Sequence, residues 1–232
     1  MRAVTIIVPV HNDNSALRAL LSHLPTLDGY QDRVEVLIAA SPVDADLQAL
    51  ADEHNATLIE CDRGRGRQMN QAAEAADGSI LWFLHADAIP NRSALIAIRQ
   101  ACEDGADGGF FRFVFSGPQT KARHRLARLI NWRAERGVAY GDQGLFFKKP
   151  VFDQLGGFAP EPLFEEVPLV KAVKSNGTFV SLKEEIIVDA RRWESDGWVK
   201  RTVANRLLAW AYALGVSPKT LAHWYGLAKR NT

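Results

Sequence analysis

A lone carboxylate at the carboxyl end of an apolar run is the first feature of this sequence that could do chemistry. In Phe83-Leu84-His85-Ala86-Asp87 the apolar stretch runs straight into Asp87. A carboxylate so placed could ligate Mg²⁺ or Mn²⁺, hard cations that take oxygen ligands and bridge diphosphates. The plainer alternative is that Asp87 caps a helix beginning near Asn91.

Four further segments add polar groups. Tyr140-Gly141-Asp142-Gln143-Gly144 sets two polar side chains in a glycine-flanked turn, where a ligand can approach closely, or where Asp142 simply closes an Asx turn. Glu165-Glu166 stands at the expected start of a helix. The helix dipole favours acids there, and a carboxylate in that position also suits a general base. Arg191-Arg192-Trp193 is expected to close a strand, and an arginine pair beside an indole suits a diphosphate. Arg63-Gly64-Arg65-Gly66-Arg67 is a basic, glycine-containing loop before a helix, able to form an anion-binding nest. It matches neither the phosphate-binding P-loop nor the dinucleotide fingerprint.

These segments need a scaffold, and the first half of the chain supplies a regular one. Apolar, β-branched runs predict strands over 4–10, 34–38, 57–61 and 80–84. Helical patterns lie between them. Leu17, Leu20, Leu21 and Leu24 share a face of a helix capped by Asp13 or Asn14 and stopped by Pro25; further helices are expected over 44–54 and 68–76. Strand and helix alternating at this pitch imply βαβ units and a mostly parallel sheet. Ligands of such sheets bind beyond the carboxyl ends of the strands, which points to Pro9-Val10-His11-Asn12-Asp13, to the stretch around Ser41, and to His85-Ala86-Asp87. The second half reads differently. Strands are expected over 110–115, 144–147 and 186–190, and helices over 121–136, 150–155, 165–175 and 198–214. No linker stands out, so one domain over 1–232 is expected, with 1–115 forming one half and 116–232 an acceptor-side half with C-terminal helices.

Composition bounds the rest. The chain has 232 residues, 47% hydrophobic and 24% charged, with a formal net charge of +1, so any attraction for anions is local and a nucleic-acid partner is not expected. Two cysteines without metal or disulfide spacing suit a reducing cytoplasm. The apolar run near the N-terminus ends in Pro9-Val10-His11 without a small-residue cleavage site, and it reads as a buried strand rather than a signal peptide. No apolar run approaches the roughly 20 residues of a membrane span. Val199, Val203, Leu207, Trp210 and Leu214 form a stripe on the last long helix, expected to cover the core or a second copy of the chain, with peripheral contact to an anionic membrane as the alternative.

Taken in order, these segments resemble family-2 glycosyltransferases of the GT-A fold. Ile6-Ile7-Val8-Pro9-Val10-His11-Asn12-Asp13 is similar to that family's opening strand and nucleotide-contacting turn. Phe83-Leu84-His85-Ala86-Asp87 stands where the family carries its metal motif, and Leu155-Gly156-Gly157-Phe158 resembles its glycine pair before the acceptor-side helix. Glu165-Glu166 occupies the place of its paired acids, and Arg191-Arg192-Trp193-Glu194 resembles its late arginine/tryptophan motif. Gly66-Arg67-Gln68-Met69-Asn70 and Tyr140-Gly141-Asp142-Gln143-Gly144-Leu145-Phe146 look like the small transferases associated with radical-SAM/selenodomain proteins or arsenosugar biosynthesis.

The resemblance implies an α/β GT-A fold and inverting transfer from a nucleotide-diphosphate sugar, with a UDP-sugar favoured. It also implies Mg²⁺ or Mn²⁺ on Asp87, Glu166 as base beside Glu165, and Asp142, Gln143 and Trp193 about the sugar or acceptor. Pro9 to Asp13, Ser41, Arg67, His85, Ala86, Asp87, Arg191 and Arg192 would bind the donor. Three departures stand out. Ile38-Ala39-Ala40-Ser41 lacks the acid that reads the nucleobase, unless Asp44 replaces it; His85 replaces the first Asp of the metal motif; and Glu166 replaces an Asp. Two other readings are a non-catalytic nucleotide-sugar-binding relic and a nucleotidylyltransferase. The latter should carry its glycine- and arginine-rich loop directly after the first strand, where Pro9-Val10-His11 stands instead.

Overall fold

The computed structural model describes residues 3–226. Its frame is one eight-stranded sheet in the order β3-β2-β1-β4-β7-β6-β8-β5, formed by β1 (Val4–Val10), β2 (Val34–Ala40), β3 (Thr57–Glu60), β4 (Ile80–Phe83), β5 (Ala88–Pro90), β6 (Gly108–Phe115), β7 (Phe146–Lys148) and β8 (Phe179–Val188). Four of the seven pairings are parallel: β1 with β2 and β4, β2 with β3, and β6 with β8. The antiparallel pairings join β4 to β7, β7 to β6, and β8 to β5. The sheet is therefore mixed; three of its parallel pairings link the strands β1 through β4, where the βαβ alternation placed them, and the fourth joins β6 to β8.

The uninterrupted apolar character of β1 follows from burial on both faces. Val4, Ile6, Val8 and Val10 pack into one core with Leu17, Leu20 and Leu21 of α1 (Asn14–His23), Leu47 and Leu50 of α2 (Ala45–Glu53), and Leu95 and Ile98 of α4 (Ala94–Glu103). Ile7 faces the other core, with Met69 and Ala72 of α3 (Arg65–Glu74) and Leu169 and Val170 of α7 (Val167–Asn176). Between α4 and α7 lie β6, then α5 (Lys121–Arg136), and α6 (Lys149–Gln154) after β7. Phe111, Phe113 and Phe115 of β6 add to the first core, while Phe110 and Phe147 add to the second.

Several boundaries differ from the sequence expectation. β8 begins seven residues before the expected 186, because its exposed Lys183 and Glu185 mask a half-buried edge pattern. Helix α7 begins at Val167, so Glu165 and Glu166 precede it rather than form its first turn; Pro168 falls in that turn, where its missing N–H costs nothing. Arg191 and Arg192 open a short helix, α8 (Arg191–Asp196), instead of closing a strand. Asp87 leads into the unforeseen strand β5, so it does not cap a helix. Asp13 stands at the N-cap of α1 without making a cap bond.

Of the readings offered for the C-terminal stripe, coverage of the core is the one the fold does not bear out. Helix α9 (Trp198–Ala213), followed by α10 (Pro218–Trp224), buries none of its residues fully. Val199, Val203, Leu207, Trp210 and Leu214 are between 51% and 87% exposed, so the stripe faces outward instead of covering the core.

The turn that carries Asp142 depends on Gly144, which lies at φ 60°, where a Cβ would sit 2.1 Å from Cδ1 of the fully buried Ile186. Gly144→Ala should therefore destabilise the fold by roughly 1–3 kcal/mol in urea denaturation. An unchanged midpoint would show that this turn can relax.

Candidate active site

β1 and β4 lie side by side and parallel, while the chain leaves β1 toward β2 on the opposite side. A crevice forms at such a switch point beyond the strand ends, and the turns after β1 and β4 bound it. The floor is tied by Gln68, whose buried amide donates to the carbonyls of Val10 and Ala39, both at 3.1 Å. After β1, Pro9 and Val10 lead into exposed His11 and Asn12, and Asn12 takes a left-handed φ of 53°. His11 Nδ1 lies 3.0 Å from the carbonyl oxygen of Ser41 across the ends of β1 and β2. Asp44, the first acid after β2, is the N-cap of α2, where one oxygen of its carboxylate accepts from Leu47 N–H at 2.7 Å.

One wall carries cations. Arg191 pairs with Asp13 and lies 3.4 Å from Asp189, whose carboxylate also accepts from its backbone N–H at 2.8 Å. These bonds fasten the turn after β1 to the start of α8. Asp87 is half-buried beside them. Burial pushes its carboxyl above the usual range, and the Arg192 and Arg191 charges oppose that shift. Next to Ala86, His85 is held neutral: burial, with Arg65 and Arg192 nearby, drives its pKa down to about 3. Its Nε2 lies 3.4 Å from Arg65 Nη1.

The opposite wall carries acids. Glu165 and Glu166 are 2% and 4% exposed. Glu165 is ion-paired with Arg65, the first residue of α3. That approach needs a glycine next in sequence, since a Cβ on Gly66 would lie 2.6 Å from the Ala159 carbonyl oxygen and 3.2 Å from Glu165 Cβ. Glu166 has no cation of its own. One oxygen accepts from Gly141 N–H at 3.2 Å, and the other is buried without a partner. Burial, together with the neighbouring Glu165 charge, raises its carboxyl well above the ordinary range. Burial raises Asp142 as well, against the pull of Arg133 and Arg65.

The structure thus gathers Asp13, His85, Asp87, Asp142, Glu165, Glu166, Arg191 and Arg192 about one crevice. Two expected residues are placed elsewhere, and a third, Trp193, lies at the cavity between α5 and α9. Gln143 is fully buried and turned into the core, where its amide donates to the Phe111 carbonyl and to Asn131 Oδ1 at 3.3 and 3.4 Å. Trp193 packs edge-on against Phe115, with ring centroids 5.0 Å apart. Arg67 is exposed on α3, and the arginine of that loop that meets the acids is Arg65. The sequence signal for Arg65 was its position opening the helix between two glycines. Arg133, stacked over Tyr140 at 4.1 Å, had none beyond its place in a basic helix.

The donor set bears on a metal. Among the described residues no three His, Cys, Asp or Glu side chains converge on a metal position. Asp87 stands as one oxygen donor beside arginines that would meet a diphosphate. This fits Mg²⁺ or Mn²⁺ only in the manner of nucleotide sites, with one or two carboxylates and substrate phosphates completing the shell.

Comparison with known proteins bears on the whole arrangement. The family model described as glycosyl transferase family 2 matches residues 5–159. No curated protein matches the chain. Among solved structures, the mannosyltransferase PcManGT from Pyrobaculum calidifontis, in complex with GDP-Man and Mn²⁺, superposes with a TM-score of 0.70 at 20% identity, covering 94% of this chain and 66% of that one. S. aureus TarS residues 1–349 in complex with UDP gives 0.64 at 17% identity, over 81% of this chain and 60% of that one. Glucosyl-3-phosphoglycerate synthase from Mycobacterium tuberculosis, with Mn²⁺, UDP and glucosyl-3-phosphoglycerate, gives 0.60 at 16% identity, over 90% and 79%. This chain therefore spans just under two thirds of the mannosyltransferase and 60% of the TarS chain.

The raised Glu166 carboxyl links the site to stability. The folded protein keeps Glu166 protonated to higher pH than the unfolded chain does, so stability is lost as pH rises from the unfolded carboxyl's range toward the raised value. Glu166→Gln removes that loss. Its melting temperature relative to the natural protein should rise between about pH 5 and about pH 8.5. A difference that stays constant across that interval would show that Glu166 titrates normally.

Proposed function

The chain belongs to glycosyl transferase family 2 and has its GT-A fold, and on that premise we propose that it transfers a sugar from a nucleotide-diphosphate donor to an acceptor, with inversion. The observation that carries this reading is the Glu165-Glu166 pair. Arg65 neutralises the first acid, and the second is buried, uncompensated and raised in pKa. A base poised in this way is suited to take a proton from a weakly acidic hydroxyl near neutral pH.

The donor lies over the switch point. Its nucleoside rests on Pro9, Val10, His11 and Asn12 and the edge at Ser41, and its diphosphate faces Arg191 and Arg192. The first acid after β2, Asp44, is engaged as a helix cap. A uridine diphosphate sugar remains the favoured donor by family resemblance. Arg191 is held by Asp13 and Asp189 before any ligand arrives, so its guanidinium is already oriented. Together with Arg192 it stabilises the charge gathering on the departing nucleoside diphosphate. Asp87 would hold Mg²⁺ or Mn²⁺ against the diphosphate, and that cation, when bound, neutralises phosphate charge. The neutral imidazole of His85 adds no positive charge to this wall. Glu166 removes the acceptor's proton on the far side of the sugar from the leaving group, which is the geometry of inversion. Asp142, one residue beyond the N–H that holds Glu166, orients the sugar or the acceptor.

Two measurements test this reading. Glu166→Gln should lower turnover roughly 10²–10⁴-fold, the usual worth of a general base, while nucleotide-induced thermal stabilisation persists. Undiminished turnover removes Glu166 from the role. In a thermal-shift titration of UDP and GDP with and without Mn²⁺, the natural protein should need the metal for its full response. Asp87→Asn should lose the metal-dependent part and keep the residual arginine-borne affinity. A metal-dependent response that survives in Asp87→Asn would remove Asp87 as the ligand.

A further inference from the structure

Between α5 and α9, beside the acid wall of the site, lies a cavity of about 350 Å³. That is within the range of small-molecule sites, roughly 300–1,000 Å³. Its walls are largely apolar, with Leu126, Ile130, Leu163, Phe164, Leu208 and Ala209, and Thr202, Asn205 and Arg206 of α9 add polar groups. At the end nearest the site stand Asp142, Tyr140 and Arg133. Asp142 Oδ1 and Arg133 Nε and Nη2 are buried there without hydrogen-bond partners. Unmet buried polar groups are costly, and a ligand that supplies donors and acceptors recovers that cost. Tyr140 and Asp142 flank Gly141, whose N–H donates to Glu166, so the polar end of the cavity adjoins the proposed base.

We propose that this cavity binds the acceptor, and that the acceptor is an amphiphile whose hydroxylated head lies against Asp142 and Arg133 while its apolar body runs between α5 and α9. The inference rests on the reading of Glu166 as the base. An all-polar acceptor such as a free sugar does not match the walls, because most of its hydroxyls would be buried against aliphatic and aromatic carbon without partners. A purely apolar ligand does not match either, since it would leave the carboxylate and guanidinium unsatisfied. A head with at least two hydroxyls satisfies both needs: one bridges Arg133 and Asp142, and the other reaches Glu166. In the transfer, the second hydroxyl's O–H bond breaks with its proton passing to Glu166. Its oxygen forms the bond to the anomeric carbon, and the anomeric carbon–phosphate oxygen bond breaks with its electron pair leaving on the nucleoside diphosphate. The exposed stripe of Val203, Leu207 and Trp210 lies on α9, the helix that supplies part of the cavity wall. The amphiphile therefore has two sources, free in water or seated in a lipid layer.

Octyl β-glucoside below its micellar concentration carries the proposed chemistry, and methyl β-glucoside carries the head alone. Binding is read by the fluorescence of the natural protein, in which Trp193 and Trp210 line the cavity. The octyl compound should give a saturable change with at least about tenfold higher affinity than the methyl compound. Ala209→Phe, which fills the cavity, should abolish the difference. Because that variant could fold poorly, Leu129→Gln at the half-exposed rim serves as a second, with about tenfold weaker octyl binding expected. Equal affinity for the two glucosides, or octyl binding unaltered in a folded Ala209→Phe, overturns the inference. A parallel arm presents glucosyl-dioleoylglycerol in phosphatidylcholine vesicles and reads co-sedimentation: capture there identifies a lipid-borne acceptor, and octyl binding without capture identifies a soluble one. Nucleotide-sugar hydrolysis separates the two levels. Hydrolysis without octyl binding sinks the cavity inference alone. Octyl binding without hydrolysis or transfer from any nucleotide sugar leaves the cavity and sinks the transferase reading.

Discussion

Two adjacent carboxylates withdrawn from water, with a single guanidinium against them, constrain much of what surrounds the site. Burying a charge costs several kcal/mol unless it is paired, and Glu165 and Glu166 share only Arg65. That cation must come close, so α3 begins with Arg65 and continues with a glycine whose missing side chain lets the helix end meet the Glu165 backbone segment. Once Arg65 is committed to Glu165, Glu166 has only the Gly141 N–H, which fixes where the turn at 141–143 must lie. That turn in turn requires the left-handed Gly144 above Ile186. A chain of close approaches thus runs from one unpaired carboxylate into the floor of the sheet. The same shortage of cations keeps Glu166 basic, so the feature that costs stability is the one that suits it to take a proton.

The two sides of the crevice are opposite in charge, and the sheet topology is responsible. Everything on the cationic side hangs from the ends of β1, β4 and β8; of the acids, Asp142 hangs from the turn before β7, and Glu165 and Glu166 from the loop before α7. Arg191 bridges the two earliest and latest parts of this arrangement through Asp13 and Asp189. Holding an arginine between two carboxylates orients it but also spends part of its charge. On the proposed reading, a diphosphate arriving there would meet a preformed but partly neutralised cation, and Arg192, with no ion pair among those described, would carry the remainder.

How much of this could be read from the sequence depended on whether a residue's role was local. β1 and α5 were legible to the residue, because a doubly buried strand and an uninterrupted helical period are written in their own side chains. The strand-end positions of Asp13 and Asp87 followed from the same periodicity. The acid pair was found, but its physical setting was misread. Adjacent acids before an apolar helix look like dipole-stabilised capping, whereas both are buried, and Glu166 stands at the N-cap of α7 without a side-chain cap bond. Arg65 and Arg67 are indistinguishable in a basic loop, and only the packing of α3 on the segment around Glu165 selects the first. Gln143 illustrates the converse: a polar residue between glycines promised a ligand contact, and the fold uses it to satisfy the backbone of β6 through the Phe111 carbonyl. The length of β8 was hidden by a partner strand more than sixty residues away in sequence, since β6 decides which of its residues face in.

The proposed acceptor side is built on different principles from the proposed donor side. The sheet and its two cores fix the crevice, but α9 has no fully buried residue and is held by scattered contacts. Arg201 pairs with Asp196 at 3.0 Å and with the Tyr225 hydroxyl, Arg123 lies 4.6 Å over the Trp198 ring, and Tyr212 meets Phe164 with centroids 4.7 Å apart. Such contacts are each worth about 1 kcal/mol or less at partly exposed positions. An element with few buried apolar contacts lies toward the low-stability end of a fold, from which binding lids are drawn. The donor half gains from rigidity, because charges must be in place before a diphosphate arrives. The proposed acceptor site is a cavity beneath a lightly held helix, and filling that cavity would bury apolar surface on the inner side of α9 that the protein alone leaves half-covered. The least secure part of the structure is therefore the part whose stability a ligand would increase most.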